Sequence, residues 1–157
     1  MSPLLPAARA NPDDAGVLLS TLLRHESLTR AYLHFNAHLL LHSTLSPRVR
    51  EILILRAAVH RGSDYLWDHH VPLARRAGLT DDEVAAVRAG GGIALSDLDL
   101  LVAAAADELD LQNTLSEWTW AALSEPFDEQ QRMDLVFTVG AYHLLALAVN
   151  AFGIDDD

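Results

Sequence analysis

"LSPRVREILILRAAVHRGSDYLWDHHVPLARRAGLT", residues 45 to 80, is the stretch on which the fold turns. Ser46 followed by Pro47 is a helix start, because serine caps free N–H groups and proline tolerates the first helical position. Gly62 is the matching stop, and Ser63 opens a second helix that Gly78 closes. Pro72 lies inside that second helix and is expected to bend or tighten it near the histidines. At about 100° per residue, Leu66, His70, Leu73, Ala74 and Ala77 share one face. Trp67 and Val71 flank that face, while Asp64, Asp68 and Arg75 lie opposite. His70 therefore points inward. His69 falls at the polar boundary beside Tyr65, and adjacent helical side chains diverge, so the two histidines do not act as one pair.

The same punctuation recurs outward in both directions. Asp residues in "NPDDAGVLLSTLLRHES" cap an apolar run, and "SLTRAYLHFNAHLLLH" continues helically to His42. Thr80 and Glu83 stand at capping-box spacing before "DEVAAVRAGGG". "SDLDLLVAAAADELDL", "SEWTWAAL" and "DEQQRMDLVFTVGAYHLLALAVNAFG" complete the chain. Alternating strand-like stretches, repeats and linkers are missing. The expectation is an all-α bundle of about seven or eight helices, one domain over 1–157 with its core motif at 45–87 and a closing helix at 128–153.

Composition removes several function classes. The chain has 157 residues, half of them hydrophobic, and a formal net charge of −11. That balance argues against nucleic acid and anionic membrane surfaces, which need clustered cations. All 11 basic residues are arginine, so lysine Schiff-base chemistry is excluded. Cysteine is absent, which excludes disulfides, thiolate metal sites and thiol redox cycling. "MSPLLPAARANPDD" lacks a charged start followed by a long apolar run, so no signal peptide is read and a cytoplasmic location is expected. "LVFTVGAYHLLALAVNAFG", 135 to 153, approaches the length of a membrane span but carries His143 and Asn150. It is read as the buried centre of a soluble assembly, which predicts a homo-oligomer and no membrane partner.

An inward imidazole needs a hydrogen-bond partner. Glu51 lies on the apolar sector of Ile54, Leu55 and Ala58, so a Glu51–His70 contact is feasible between neighbouring helices. Such a carboxylate would orient the ring and raise its basicity, as a general acid/base requires. The alternative is a satisfied core histidine. Arg56 and His60 form an i,i+4 pair on another sector.

These residues resemble the carboxymuconolactone decarboxylase and alkylhydroperoxidase D-like family. The resemblance rests on 45–87, on "RMDLVFTVGAYHLLALAVNAFGI" at 132–154, and on "LHFNAHLLLHSTLSPR" upstream. It implies an all-helical fold assembling as trimers or hexamers. In the peroxidase branch, a C-x-x-C lies before a His and twelve residues after a Glu. Carried over, Glu51 and His70 match, while the cysteine positions fall on Ser63 and Leu66. Peroxidase activity by thiols is therefore not expected. A non-cysteine branch reads like E-Y-E-W-x-x-H, and here Asp64 keeps the first acid while Leu66 replaces the second. Glu51 is then the leading acid partner and Asp64 the second.

The resulting expectation is a cofactor-independent acid/base enzyme, of decarboxylase or isomerase type. It would act on a small carboxylated or enolisable molecule with His70 as proton shuttle and Glu51 as its tuner. Tyr65, Trp67, Asp64, His38, His42 and Arg56 are candidate substrate-binding residues. The alternative is an oligomeric binding or scaffold protein without catalysis. His34, His38 and His42 recur every four residues; the stripe lacks H-E-x-x-H, so no metal is assigned and a pocket or interface facing His70 is expected. Tyr142 and His143 could reach the same pocket, "EWTW" at 117–120 reads as packing or interface, and "GGG" at 90–92 as a flexible helix exit.

Overall fold

The computed structural model describes residues 16–155, and over that span the chain is all helix. In order the helices are α1 (Gly16–Leu22), α2 (Glu26–Leu41), α3 (Pro47–His60), α4 (Asp64–Arg76), α5 (Asp81–Ala89), α6 (Asp97–Gln112), α7 (Glu117–Leu123) and α8 (Glu129–Phe152). The Asp caps expected before the first helix and most of the closing acidic tail lie outside the described residues.

α3 is the axis of the bundle. Ile52, Leu53, Ile54 and Leu55 occupy consecutive positions around the helix and none reaches solvent. A helix apolar on every side can be satisfied only by neighbours on every side, and α4, α5, α6 and α8 all pack against it. Each such side chain contributes roughly 2 kcal/mol of burial free energy. The ends are held by the anticipated devices. Ser46 accepts from the Val49 amide, Ser63 from Leu66, and Thr80 and Glu83 close a reciprocal box. Two further boxes, Ser96–Asp99 and Asp128–Gln131, start α6 and α8. α4 runs unbroken through Pro72.

Arg48 joins two of these starts. Its guanidinium meets Asp99 in a two-pronged contact at 3.2 and 2.8 Å, and Glu83 at 2.7 Å. One arginine on α3 thus grips the boxes that begin α5 and α6. At the far end of α5, Gly90 is a fixed stop where a flexible exit was expected. Its φ is +87° and a side chain there would lie 3.2 Å from the Arg56 guanidinium, so both conformation and space call for glycine.

α8 presents two apolar faces. Leu135, Val139, Tyr142, Leu145 and Ala146 are buried against the bundle, whereas Met133, Phe137, Leu144 and Leu147 are exposed. Among the described residues it is the one helix long and apolar enough to cross a membrane, and 44% of that apolar window is buried in the bundle.

Candidate functional site

The α3–α4 hairpin brings Glu51 and His70 together. Gly62 turns the chain at φ +59°, the Ser63 amide donates to Ala58 O, and Ser63 caps α4. The two helices then run back along each other. His70 Nδ1 lies 2.8 Å from Glu51 Oε2, with no exposure of the Glu51 side chain. Arg50 Nε donates to the other carboxylate oxygen at 3.2 Å. The contact holds the imidazole in one orientation, and in the neutral tautomer that donates from Nδ1 to the carboxylate, Nε2 carries the lone pair. Among the described residues Nε2 has no hydrogen-bond partner.

His70 borders a half-open cavity of about 490 Å³ lined by α1, α2, α4 and α8. Leucines from all four helices supply half of the lining residues, and Tyr32, Asn36, Tyr65, His69 and Tyr142 supply polar groups beside His70. Tyr142 meets the His70 ring edge-on, centroids 5.1 Å apart, while Tyr65 stacks on His69 at 4.2 Å. Burial pushes the Tyr142 phenol well above its usual range, and the neighbouring Tyr32 and Glu51 push it further. Burial also raises the Tyr32 phenol to about 12. Both stay protonated donors at neutral pH. The α1 wall is unusual, since that helix buries none of its own residues. It is tied to α2 through Thr29 Oγ1, which donates to Leu22 O.

Of the candidate binding residues, Tyr65 lines this cavity and the others lie elsewhere. Trp67 is buried outside the cavity lining, with the Arg88 guanidinium 4.7 Å above its ring. Asp64 is exposed beside the same arginine. Arg56 is buried in a tie of its own. It donates to Asp107 at 2.7 Å and to Val87 O at 2.9 Å, and His60 meets the same Asp107 at 2.6 Å. His38 Nε2 contacts Asp134 at 2.8 Å, and Thr44 donates twice to the other oxygen of that carboxylate. Burial works against the Asp134 charge, but these donors outweigh it and hold the carboxyl below its ordinary value. His42 caps the end of α2, and His34 is exposed.

The histidine stripe therefore does not face His70, and helical geometry explains why. Two residues of offset turn a helix by about 200°, so the cavity receives Tyr32, Asn36 and Leu40 from the nearly opposite face. Their own i,i+4 spacing was the available signal, and the histidines drew attention from it. Tyr142 does reach the cavity, whereas His143 is not among its lining residues. Ser63 and Leu66, the positions matching thiols in the redox branch, serve here as a helix cap and as cavity wall.

The chain superposes on a crystal structure of a protein of unknown function from Agrobacterium tumefaciens, provisionally described as the antioxidant defence protein AhpD. The TM-score is 0.80 at 14% identity, covering 87% of this chain and 95% of that one. The likeness extends to the fold alone. No curated protein matches the sequence. Residues 26–108, from the start of α2 into α6 and including both Glu51 and His70, match the model of the carboxymuconolactone decarboxylase family. That span is more than half of the sequence, and the chain belongs to this family.

Proposed function

We propose that this protein is a cofactor-independent acid/base enzyme acting on a small enolisable or carboxylated molecule, by isomerisation or decarboxylation. The observation that carries the reading is the buried Glu51–His70 pair at the wall of a ligand-sized cavity. His70 Nε2 takes a proton from carbon next to a carbonyl. The C–H electron pair becomes the enolate, and its oxygen faces phenols that remain protonated. The imidazolium, stabilised by Glu51, then returns the proton to carbon. In the decarboxylating variant the C–CO₂ bond supplies the electron pair, carbon dioxide leaves, and the protonated imidazole delivers its proton to the same carbon. The exposed face of α8 supports a homo-oligomer as the working form.

The test is hydrogen–deuterium exchange at the acidic carbon of an enolisable ketone such as α-tetralone, followed by proton NMR in deuterated buffer. Wild type should accelerate exchange, and His70→Gln should abolish the acceleration while keeping its circular dichroism spectrum. Unchanged exchange in His70→Gln would end the reading. A second reading, binding without catalysis, is favoured by Leu66, which puts a leucine in the cavity wall at a position matching an acid in the related branch. Ketone binding without any acceleration by wild type would select it.

A further inference from the structure

Among the described residues the cavity wall offers hydrogen bonds, and the imidazoles of His69 and His70 are its only groups that can carry positive charge. Among the described residues no arginine lines it, and the chain contains no lysine. Arg50 is committed to Glu51 and to Leu40 O. The charge already present is the wrong sign for an anion, because Glu51 sits directly behind His70. A carboxylate entering here would lose part of its hydration, meet no arginine among the described residues, and approach an existing carboxylate.

Asn36 stands out against this background. It lines the cavity on α2, and its amide makes no hydrogen bond within the described chain. Its Oδ1 is fully enclosed and unpartnered, although buried amide oxygens are normally paired. An amide both donates and accepts, so it suits an uncharged group that does the same.

We propose that the cavity selects uncharged, mostly hydrocarbon carbonyl compounds bearing a hydroxyl group, and that Asn36 is the residue that reads the hydroxyl. The proposal rests on the cavity beside His70 being the reaction site. It narrows that reading from carboxylated or enolisable molecules to neutral ones. The leucine-rich wall receives the hydrocarbon body, the phenols of Tyr32 and Tyr142 meet the carbonyl oxygen, and the Asn36 amide bonds the hydroxyl after turning its enclosed oxygen toward the cavity.

Isothermal titration at neutral pH with α-tetralone, its ring-hydroxylated derivative and its ring-carboxylated derivative tests this. On wild type the hydroxylated ketone should bind about tenfold more tightly than the carboxylate, and several-fold more tightly than the parent. In Asn36→Leu the hydroxylated and parent ketones should bind alike. The comparison of charges needs no variant, so it decides the matter even if Asn36→Leu does not fold. Carboxylate binding equal to or tighter than the hydroxylated ketone, no binding of any of the three, or a hydroxyl preference surviving in Asn36→Leu would each overturn the proposal. The same titrations on His70→Gln separate the two ideas. A preference that persists there, without exchange activity in wild type, removes the acid/base reading and leaves this one standing. Exchange activity directed at the carboxylate does the reverse.

Discussion

At the scale of single residues, three carboxylates in this chain live under different rules. Glu51 is enclosed and fully partnered, so its replacement harms both fold and site. Glu51→Ala leaves His70 and Arg50 facing a void and should cost on the order of 3 kcal/mol in urea denaturation. Asp134 is likewise partnered and serves the joint between α2 and α8. Asp110 is enclosed with only a loose ion pair to Arg61. Its side chain has no exposure, neither oxygen has a hydrogen bond, and Arg61 stands off at 3.6 Å. Burial pushes its carboxyl up, with Arg61, His60 and His143 pulling only partly back. The folded protein then holds this proton at a pH where the unfolded chain has released it. Stability is therefore lost as pH rises above the ordinary value of 3.8. Asp110→Asn should raise the melting temperature at neutral pH, and the gain should shrink as pH falls toward that value. Thermal melts across the acid range check the sign. The Glu51–His70 contact could be anticipated because both residues belong to strong periodic patterns on adjoining helices. Asp110 could not, since "DELDL" reads as an ordinary acidic helix end until packing shows which acid turns inward.

At the scale of helices, start and stop signals were the most readable part of the sequence. The caps at Ser46, Ser63 and Thr80 follow from short-range chemistry that tertiary packing did not override. Pairings between helices were less readable, because long side chains reach across distances that sequence spacing does not encode. Arg48 illustrates this. Its hydrogen bonds lower the Glu83 carboxyl, and at Asp99 the donors from Arg48 and Ser96 overcome burial. Groups held below their ordinary values stabilise the fold above those values and lose that contribution as pH falls. Arg48→Met should cost about 2 kcal/mol near neutrality. The loss should narrow once pH drops below the ordinary values of 4.5 and 3.8 for the two acids. Hydrogen exchange should locate the damage at the starts of α5 and α6. The histidines on α2 carry the opposite lesson. Residue type suggested a site, and helical phase sent those side chains elsewhere.

For the whole molecule, the fold class followed from the absence of any strand pattern and from the run of capped helices. The apolar excess of α8 pointed to burial beyond one chain, and the bundle covers one of its faces only. Phe137 packs edge-on against Phe35 of α2 in the same exposed region. Sedimentation should therefore report a multiple of the 17.2 kDa chain mass. Replacing Phe137 and Leu144 with aspartate should reduce it to the monomer with the helical spectrum intact. A monomeric wild type would remove that expectation while leaving the cavity chemistry untouched.

The cavity is also assembled from parts of unequal firmness. His70 and Glu51 stand on helices locked into the centre of the bundle, whereas the opposite wall is α1, seven residues with none buried. The outer wall and the buried pair thus belong to separate mechanical elements. The bond that aims the imidazole joins α3 to α4 and takes nothing from α1. Under the proposed proton transfer, changes in α1 should alter which molecules bind rather than how the proton moves, which binding and exchange measurements on α1 variants would separate.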